Sequence, residues 1–200
     1  LPAGAASAIL GANSARREDQ RMAMPTVTGP VTLSNSFITE TVQVCIVTRD
    51  YRRIMQGMVQ AGIGPWRVFT FGPDTCSNMT LHGKPAKFSM KLCMAFTGSM
   101  FWEIVQPLEG HSIYVDFLER HGEGIHHVAF ANGDMDWAAR VKGFEDRGFK
   151  CIQSGVWMDR VPWAYFGTEE ATSTIFEIYD IPKDFVIPEP EEWFPGPPPA

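Results

Sequence analysis

The 200-residue sequence has no excess of positive charge: 17 Lys and Arg stand against 23 Asp and Glu, a formal net charge of −6. Without a basic stripe it cannot neutralise a run of phosphates, which excludes nucleic acid as the main partner. Nor does any apolar run approach the roughly 18–20 residues of a helical membrane span. Cysteine is scarce. The four copies, Cys45, Cys76, Cys93 and Cys151, lack CxxC or metal-knuckle spacing, and Cys45 and Cys151 lie inside apolar strand patterns. Buried free thiols in a reducing, cytoplasmic setting are therefore expected. Residues 1–10 are Ala-rich and only mildly apolar, and Arg16 and Arg17 come after them, which is not the basic-then-apolar order of a signal peptide. What is present is a chain 44% hydrophobic and 12% aromatic. That is enough for a sizeable core, and the expected partner is a small molecule or another protein.

Residues 1–40, rich in Ala, Ser, Thr, Pro and Gly, show no sustained periodicity and read as an N-terminal extension wrapping the surface or making an oligomer contact. Residues 41–48 form a near-continuous apolar strand, as a strand covered on both faces does. Asp50 then caps a helix to about residue 61, with Ile54, Met58 and Val59 on one face, and Gly62-Ile63-Gly64-Pro65 stops it. Strand patterns follow at 66–71, 86–96 and 99–106, with a loop at 72–84, and residues 113–120 predict a linking helix. The order then repeats. A strand at 125–131 leads to a helix opened by Asp134 and striped with Trp137, Val141 and Phe144, then to strands at 149–156, 161–167 and 174–179. Pro-rich residues 183–200, with Glu189, Glu191 and Glu192, read as an extended acidic tail, most simply a solvated one, with covering the mouth of a cleft as the alternative. The chain thus divides into an extension (1–40), a βαβββ module (41–110), a link (111–123), a second βαβββ module (124–182) and the tail.

Gln43 precedes Asp50 by the same seven residues that separate His127 from Asp134, so the two occupy equivalent places on the first strands. The closing strands match as well: Phe101-Trp102-Glu103-Ile104-Val105 and Ile175-Phe176-Glu177-Ile178-Tyr179. By the two-residue period, Glu103 shares a face with Phe101 and Val105, and Glu177 with Ile175 and Tyr179, while Trp102 and Ile104 fill the opposite face. Burying an ionised carboxylate without a partner costs several kcal/mol. Arg or Lys partners would answer each glutamate separately, whereas one cation answers both if the modules share a cleft across a pseudo-twofold. Gln43, Glu103, His127 and Glu177 would then converge on a divalent metal from among Mg, Mn, Co, Fe and Zn. The oxygen-rich set suits the first four better than a structural zinc site. The same alternation points His126 away from His127, towards packing or an interface. Trp66, Phe69, Phe71, Trp102, Trp157, Trp163 and Phe166 are aromatics able to line a pocket for an apolar or ring-containing substrate, with core packing the alternative for each.

The motifs Gly62-Ile63-Gly64-Pro65-Trp66, Glu103-Ile104-Val105-Gln106-Pro107-Leu108-Glu109-Gly110 and Gly124-Ile125-His126-His127-Val128-Ala129-Phe130, with the duplicated order, resemble the vicinal oxygen chelate superfamily of glyoxalase, bleomycin resistance and extradiol dioxygenase proteins. Over residues 41–182 the chain looks like the glyoxalase-type branch that includes methylmalonyl-CoA epimerase. The resemblance implies an α+β fold, two tandem βαβββ modules forming a curved, mostly antiparallel sheet around a central cleft. It also implies His127, Glu103 and Glu177 as metal ligands. The family usually has a His where this chain has Gln43, a weaker donor, which leaves metal dependence open.

Three functions follow as expectations. The first is an isomerase, epimerase or lyase that removes a proton beside a carbonyl and stabilises the enolate with metal, Glu103 or Glu177 being the base. The second is a metal-free general acid–base enzyme using Glu103, His127 and Glu177 directly. The third is a protein that binds or sequesters an aromatic metabolite without turnover. A homodimer is expected, with the modules pairing either within one chain or across the dimer.

Overall fold

The computed structural model describes residues 37, 38, 40–131 and 133–199, all of them within the unit Leu33–Ala200. Almost all of the expected N-terminal extension lies outside the described residues. The first half contains β1 (Thr41–Val47), α1 (Tyr51–Gln60), β2 (Trp66–Phe71), β3 (Cys76–Leu81), β4 (Lys84–Pro85), β5 (Met90–Thr97) and β6 (Met100–Pro107). After α2 (Ile113–Arg120) come β7 (Gly124–Ala131), α3 (Trp137–Glu145), β8 (Cys151–Trp157), β9 (Val161–Phe166), the single turn α4 (Glu169–Thr172) and β10 (Ile175–Tyr179). A last strand, β11 (Glu192–Phe194), closes the described chain.

These strands make one sheet in the order β11-β2-β5-β6-β1-β7-β10-β9-β8-β3-β4. Its seam is the antiparallel pair β1–β7, flanked by β6 parallel to β1 and β10 parallel to β7. The other pairs are antiparallel. The modules therefore pair within one chain.

The register is that of a duplication. Gln43 stands opposite Phe101 and Cys45 opposite Glu103, as His127 stands opposite Ile175 and Ala129 opposite Glu177. Each seam strand also bulges once. The ladder slips between Thr41 and Gln43, leaving Val42 extra on β1, and again opposite Cys45 and Ile46, leaving His126 extra on β7. A bulge is a point where a strand bends and re-aims its side chains.

One sheet face is covered by helices. The Asp50 side chain caps α1 by accepting from Arg53 N at 3.0 Å, worth about 1 kcal/mol. The helix buries Met55 against Trp66, Val68, Cys93 and Ile104, and the chain leaves it through Gly62 at a φ of +88°, where a side chain would be strained. Over the other half, α3 packs Phe144 on Phe166, with ring centroids 4.1 Å apart. The opposite face is concave. Phe71 on β2 stacks on Trp157 of β8 at 4.7 Å, although the two strands are seven places apart in the order; in a flat sheet seven spacings would be about 34 Å. The ladder itself stays open at β11 and β4. Helix α2 closes one end of the concave side, with Ile113, Tyr114, Phe117 and Leu118 buried among the residues there.

Four local expectations are corrected. The loop 72–84 contains β3 and the first residue of β4, and β3 crosses to pair with β8 of the second module. The strand pattern at 86–96 enters the ladder only at Met90, since Ser89 instead bonds Glu109 and Leu108 through its backbone. Helix α3 is capped by Asp136, not Asp134, because Asp136 is the residue three before a free amide, that of Ala139 at 3.1 Å. The tail is no solvated extension: β11 pairs with β2, Arg52 grips Glu192 through two bonds of 2.9 and 2.7 Å, and Lys91 meets Glu191 at 2.6 Å.

Candidate functional site

The four central strands β6, β1, β7 and β10 each supply one side chain, Glu103, Gln43, His127 and Glu177, and the structure brings all four together. His127 Nε2 lies 3.0 Å from Glu177 Oε2, 3.3 Å from Glu103 Oε2 and 3.1 Å from the Gln43 amide nitrogen. Gln43 Nε2–H also donates to Glu177 Oε2 at 3.1 Å. All four are buried, His127 completely and the glutamates to within 5%. Glu103 Oε2 has no hydrogen bond, only the ion-pair contact with His127.

Burial alone pulls the His127 pKa down, but the carboxylates of Glu177 and Glu103 outweigh it and hold the imidazole up to about 9. Burial pushes the Glu177 carboxyl above its ordinary value against the opposing pull of His127. Glu177 is thereby a stronger base than a carboxylate in water.

The donor set fits a divalent cation. Its contacts of 3.0–3.3 Å match the separation of about 3 Å between neighbouring ligands on metal bonds of about 2.1 Å. Protons alone leave a conflict. With hydrogen on His127 Nε2 the ring meets the carboxylates well but turns one donor on another at Gln43; without it, a lone pair faces two carboxylate oxygens. Ligation by Gln43 needs its amide turned over to present oxygen, and the two amide orientations are nearly isosteric. Cys45 Sγ, Glu103 and His127 also offer ligand atoms within 4.8 Å of one another, although burial and then Glu103 push the Cys45 thiol well above its ordinary pKa.

Above this polar floor is a cavity of about 170 Å³. Gln43, Glu103 and Glu177 line it, and His127 lies behind them. The walls are apolar: Phe71 from β2, Met90, Leu92 and Met94 from β5, Trp157 from β8 and Trp163 from β9. Tyr165 and Tyr179 bring the only hydroxyls of the lining, and Tyr114 O–H donates to Tyr165 at 2.9 Å from α2. The Trp163 indole N–H is buried without a hydrogen bond. Among the described residues, no Lys or Arg lines the cavity.

Of the aromatics expected in a pocket, Phe71, Trp157 and Trp163 are there. Phe69 sits behind Trp157, edge-on at 5.7 Å. Trp66 and Trp102 are corrections. Their strand parity turns them to the helical face with Met55 and Ile104, where the Trp66 indole N–H bonds Ile63 O at 2.9 Å. Phe166 packs under α3. The sequence reading missed the Met90-Leu92-Met94 wall, whose alternation was visible; Ile187 brings the tail to the cavity as well. His126 is a further correction. Its bulge brings its ring back beside His127, Nδ1 to Nδ1 at 2.8 Å, instead of to the opposite face.

With this geometry in hand, comparison with known proteins gives the class. The sequence model of the Glyoxalase/Bleomycin resistance protein/Dioxygenase superfamily matches residues 42–161, and the chain belongs to that superfamily. Among solved structures, the chain is similar to methylmalonyl-CoA epimerase from Mycobacterium tuberculosis at 15% identity, with a TM-score of 0.56 over 75% of this chain and 93% of that one. It is also similar to a hypothetical protein from Bacillus halodurans C-125, at 15% identity and a TM-score of 0.52 over 74% and 98%. A Streptomyces coelicolor methylmalonyl-CoA epimerase variant in complex with 2-nitronate-propionyl-CoA follows, at 13% identity and a TM-score of 0.50 over 72% and 98%. No curated protein matches the sequence. Among the described residues no helix is long and apolar enough to cross a membrane.

Proposed function

We propose that the protein is an isomerase, epimerase or lyase that removes a proton from the carbon beside a carbonyl in an apolar or aromatic small metabolite. One observation carries the reading: two buried carboxylates, meeting at one imidazole, form the polar floor of an otherwise apolar cavity. Glu103 and Glu177 come from opposite halves of the pseudo-twofold. One can take a proton from one side of a substrate carbon while the other returns it from the opposite side, which inverts the centre. The apolar walls exclude water and hold the body of the substrate, and a cavity without Lys or Arg favours an uncharged one at the reacting end. A divalent cation held by Gln43, Glu103, His127 and Glu177 would supply positive charge for the developing enolate oxygen.

The experiment is solvent exchange. The protein is incubated in D2O with methylmalonyl-CoA and with a panel of uncharged aryl and alkyl carbonyl compounds, and deuterium uptake is read by mass spectrometry. Uptake by a panel member should fall at least about 100-fold in Glu103→Gln and in Glu177→Gln. Full activity in both variants sinks the assignment.

A second reading, metal-free acid–base catalysis, is supported by His127, whose pKa of about 9 places a fixed positive charge beside both carboxylates. It predicts exchange that survives exhaustive chelation. Assembly as a cytoplasmic homodimer also belongs to this proposal, and sedimentation equilibrium checks the stoichiometry.

A further inference from the structure

Every residue that lines the cavity stands on a strand of the sheet except two, Ile181 and Ile187. Both belong to the stretch that leaves β10 at Tyr179 and rejoins the ladder at β11. Its sequence keeps it out of the ladder, since Pro182, Pro188 and Pro190 have no N–H to give a neighbouring strand. Among the described residues, 181–190 make no backbone hydrogen bond to the sheet. The flanking bonds run from Asp180 N to Pro162 O of β9 at 3.0 Å and from Glu191 N to Val68 O of β2 at 2.9 Å. Strands β9 and β2 lie in opposite halves of the sheet, so the stretch is a strap across the concave side.

Side chains hold the strap where the backbone does not. Phe185 meets Trp157 edge-on at 5.5 Å and Ile187 lines the cavity, while Val186 between them is 83% exposed. Asp184 pairs with Arg160 at 2.8 Å. At the far end, Glu191 accepts from Lys91 at 2.6 Å and from Thr70 at 3.0 Å, and Glu192 is held by Arg52. These ion pairs reach solvent, where such pairs are weak and screened by salt. The two ends are unequal. The strap continues from β10, which is paired on both sides, and finishes in β11, a three-residue edge strand paired on one. A segment with few backbone bonds and little burial opens at far lower cost than a ladder. The strap is thus the part of the cavity wall that can leave without unzipping the sheet.

We propose that residues 181–191 are a specificity-determining gate. Released at its β11 end, the strap admits a small apolar molecule, and on its return Ile181 and Ile187 close over that molecule above Glu103 and Glu177. The inference rests on the proposed function and narrows its substrate class to a compound short enough to lie under the strap, as against the acyl end of a large thioester whose remainder must pass out of the site.

Fluorobenzene is the probe, because apolar cavities of about 150 Å³ take up benzene and this one measures about 170 Å³. Exchange 19F NMR on the full chain gives its entry rate, exit rate and Kd without reference to catalysis. Arg67 and Trp193 stand opposite one another in the β2–β11 ladder, the guanidinium 5.0 Å from the indole, so Arg67→Cys/Trp193→Cys sets two thiols within disulfide reach. Oxidation should slow entry and exit together by at least about tenfold with Kd changed less than about twofold, and reduction should restore both rates. Arg52→Ala/Lys91→Ala loosens the same end without a new bond and should speed both rates by about two- to tenfold. A gate moves rates, whereas a fixed wall moves affinity. Ile187→Ala should admit 1-fluoronaphthalene, which the wild type excludes. Equal rates in the oxidised and reduced protein, unchanged rates in Arg52→Ala/Lys91→Ala, equal uptake of 1-fluoronaphthalene by wild type and Ile187→Ala, or a wild type that takes up no fluorobenzene, each overturn the inference. The roles of Glu103 and Glu177 are decided by deuterium exchange in their own variants, so the gate and the chemistry fail separately.

Discussion

Raising the pH from 6.5 to 9 should destabilise the metal-free protein through a single buried ring. The His127 pKa rises from 6.5 to about 9 on folding, because Glu177 and Glu103 outweigh the effect of burial. A group whose pKa is raised by folding stabilises the fold fully below its unfolded value and loses that contribution as pH passes its folded value. Linkage gives on the order of 3 kcal/mol at pH 6.5, most of which is lost by pH 9. Below about pH 8 other groups leave this window nearly clear. His126, lowered by burial, acts with the opposite sign but below 6.5, and the four thiols raised by burial add a further loss in the same direction as His127 once pH nears their unfolded value of about 8.5. Glu177, raised by burial, adds in the same direction as His127, with a loss as pH rises above the ordinary carboxylate range. The assay is urea unfolding at 25 °C with chelator present, at half-unit pH steps. In Glu103→Gln/Glu177→Gln burial is no longer opposed, the His127 pKa drops below 6.5 and the slope between pH 6.5 and about 8 should vanish, while the loss from the thiols at higher pH remains. Flat wild-type stability across the window, or an undiminished slope in the double variant, refutes the electrostatic account.

Three further outcomes are expected. Gly155→Ala places a methyl group 2.4 Å from the Trp163 ring and should cost about 1–3 kcal/mol in thermal or urea unfolding. The same change should alter tryptophan fluorescence as the cavity wall shifts. Arg52→Ala removes the two bonds that hold Glu192 and should speed amide exchange in β11 while leaving global stability nearly unchanged, since Arg52 is exposed and the pair is screened; 0.5 M salt should act in the same direction. Gln43→His replaces an amide with a better ligand and should tighten Zn²⁺ binding by on the order of tenfold in chelator competition. Equal or weaker binding would argue against Gln43 as a ligand.

The two-residue period made the site legible before the fold was known. It set Glu103 and Glu177 on matching faces, and equal spacing to a following Asp paired Gln43 with His127. The rest was hidden for identifiable reasons. The stretch 76–81 is largely polar, carries Asn78 at a φ of +52°, and is a strand only because β8, far away in sequence, pairs with it. The acidic run of the tail looked solvated because its partners, Arg52 and Lys91, are more than 90 residues upstream. Trp66 and Trp102 misled by residue type alone, since the parity of their own strands already sent them to the helical face. His126 was lost to strict alternation, which has no place for an extra residue.

That extra residue occurs twice, and the two copies explain each other. Val42 bulges immediately before Gln43 as His126 bulges immediately before His127. The shared bulge therefore serves the backbone, aiming the next side chain into the floor from each half of the pseudo-twofold, whether Val42 or His126 fills it. An amide keeps its oxygen and nitrogen distinct without help and can be re-aimed by one rotation, so an apolar Val42 suffices beside Gln43. An imidazole can carry its proton on either nitrogen, and the polar neighbours at Nδ1 and at Nε2 choose between them together. A His at position 127 thus favours a hydrogen-bonding residue at 126, and a Gln at position 43 releases position 42 from that demand. In Gln43→His, the new ring would have no such neighbour, and Val42→His beside it should sharpen the gain in Zn²⁺ affinity beyond that of Gln43→His alone. If the second substitution adds nothing, the pairing of bulge residue with floor residue is incidental.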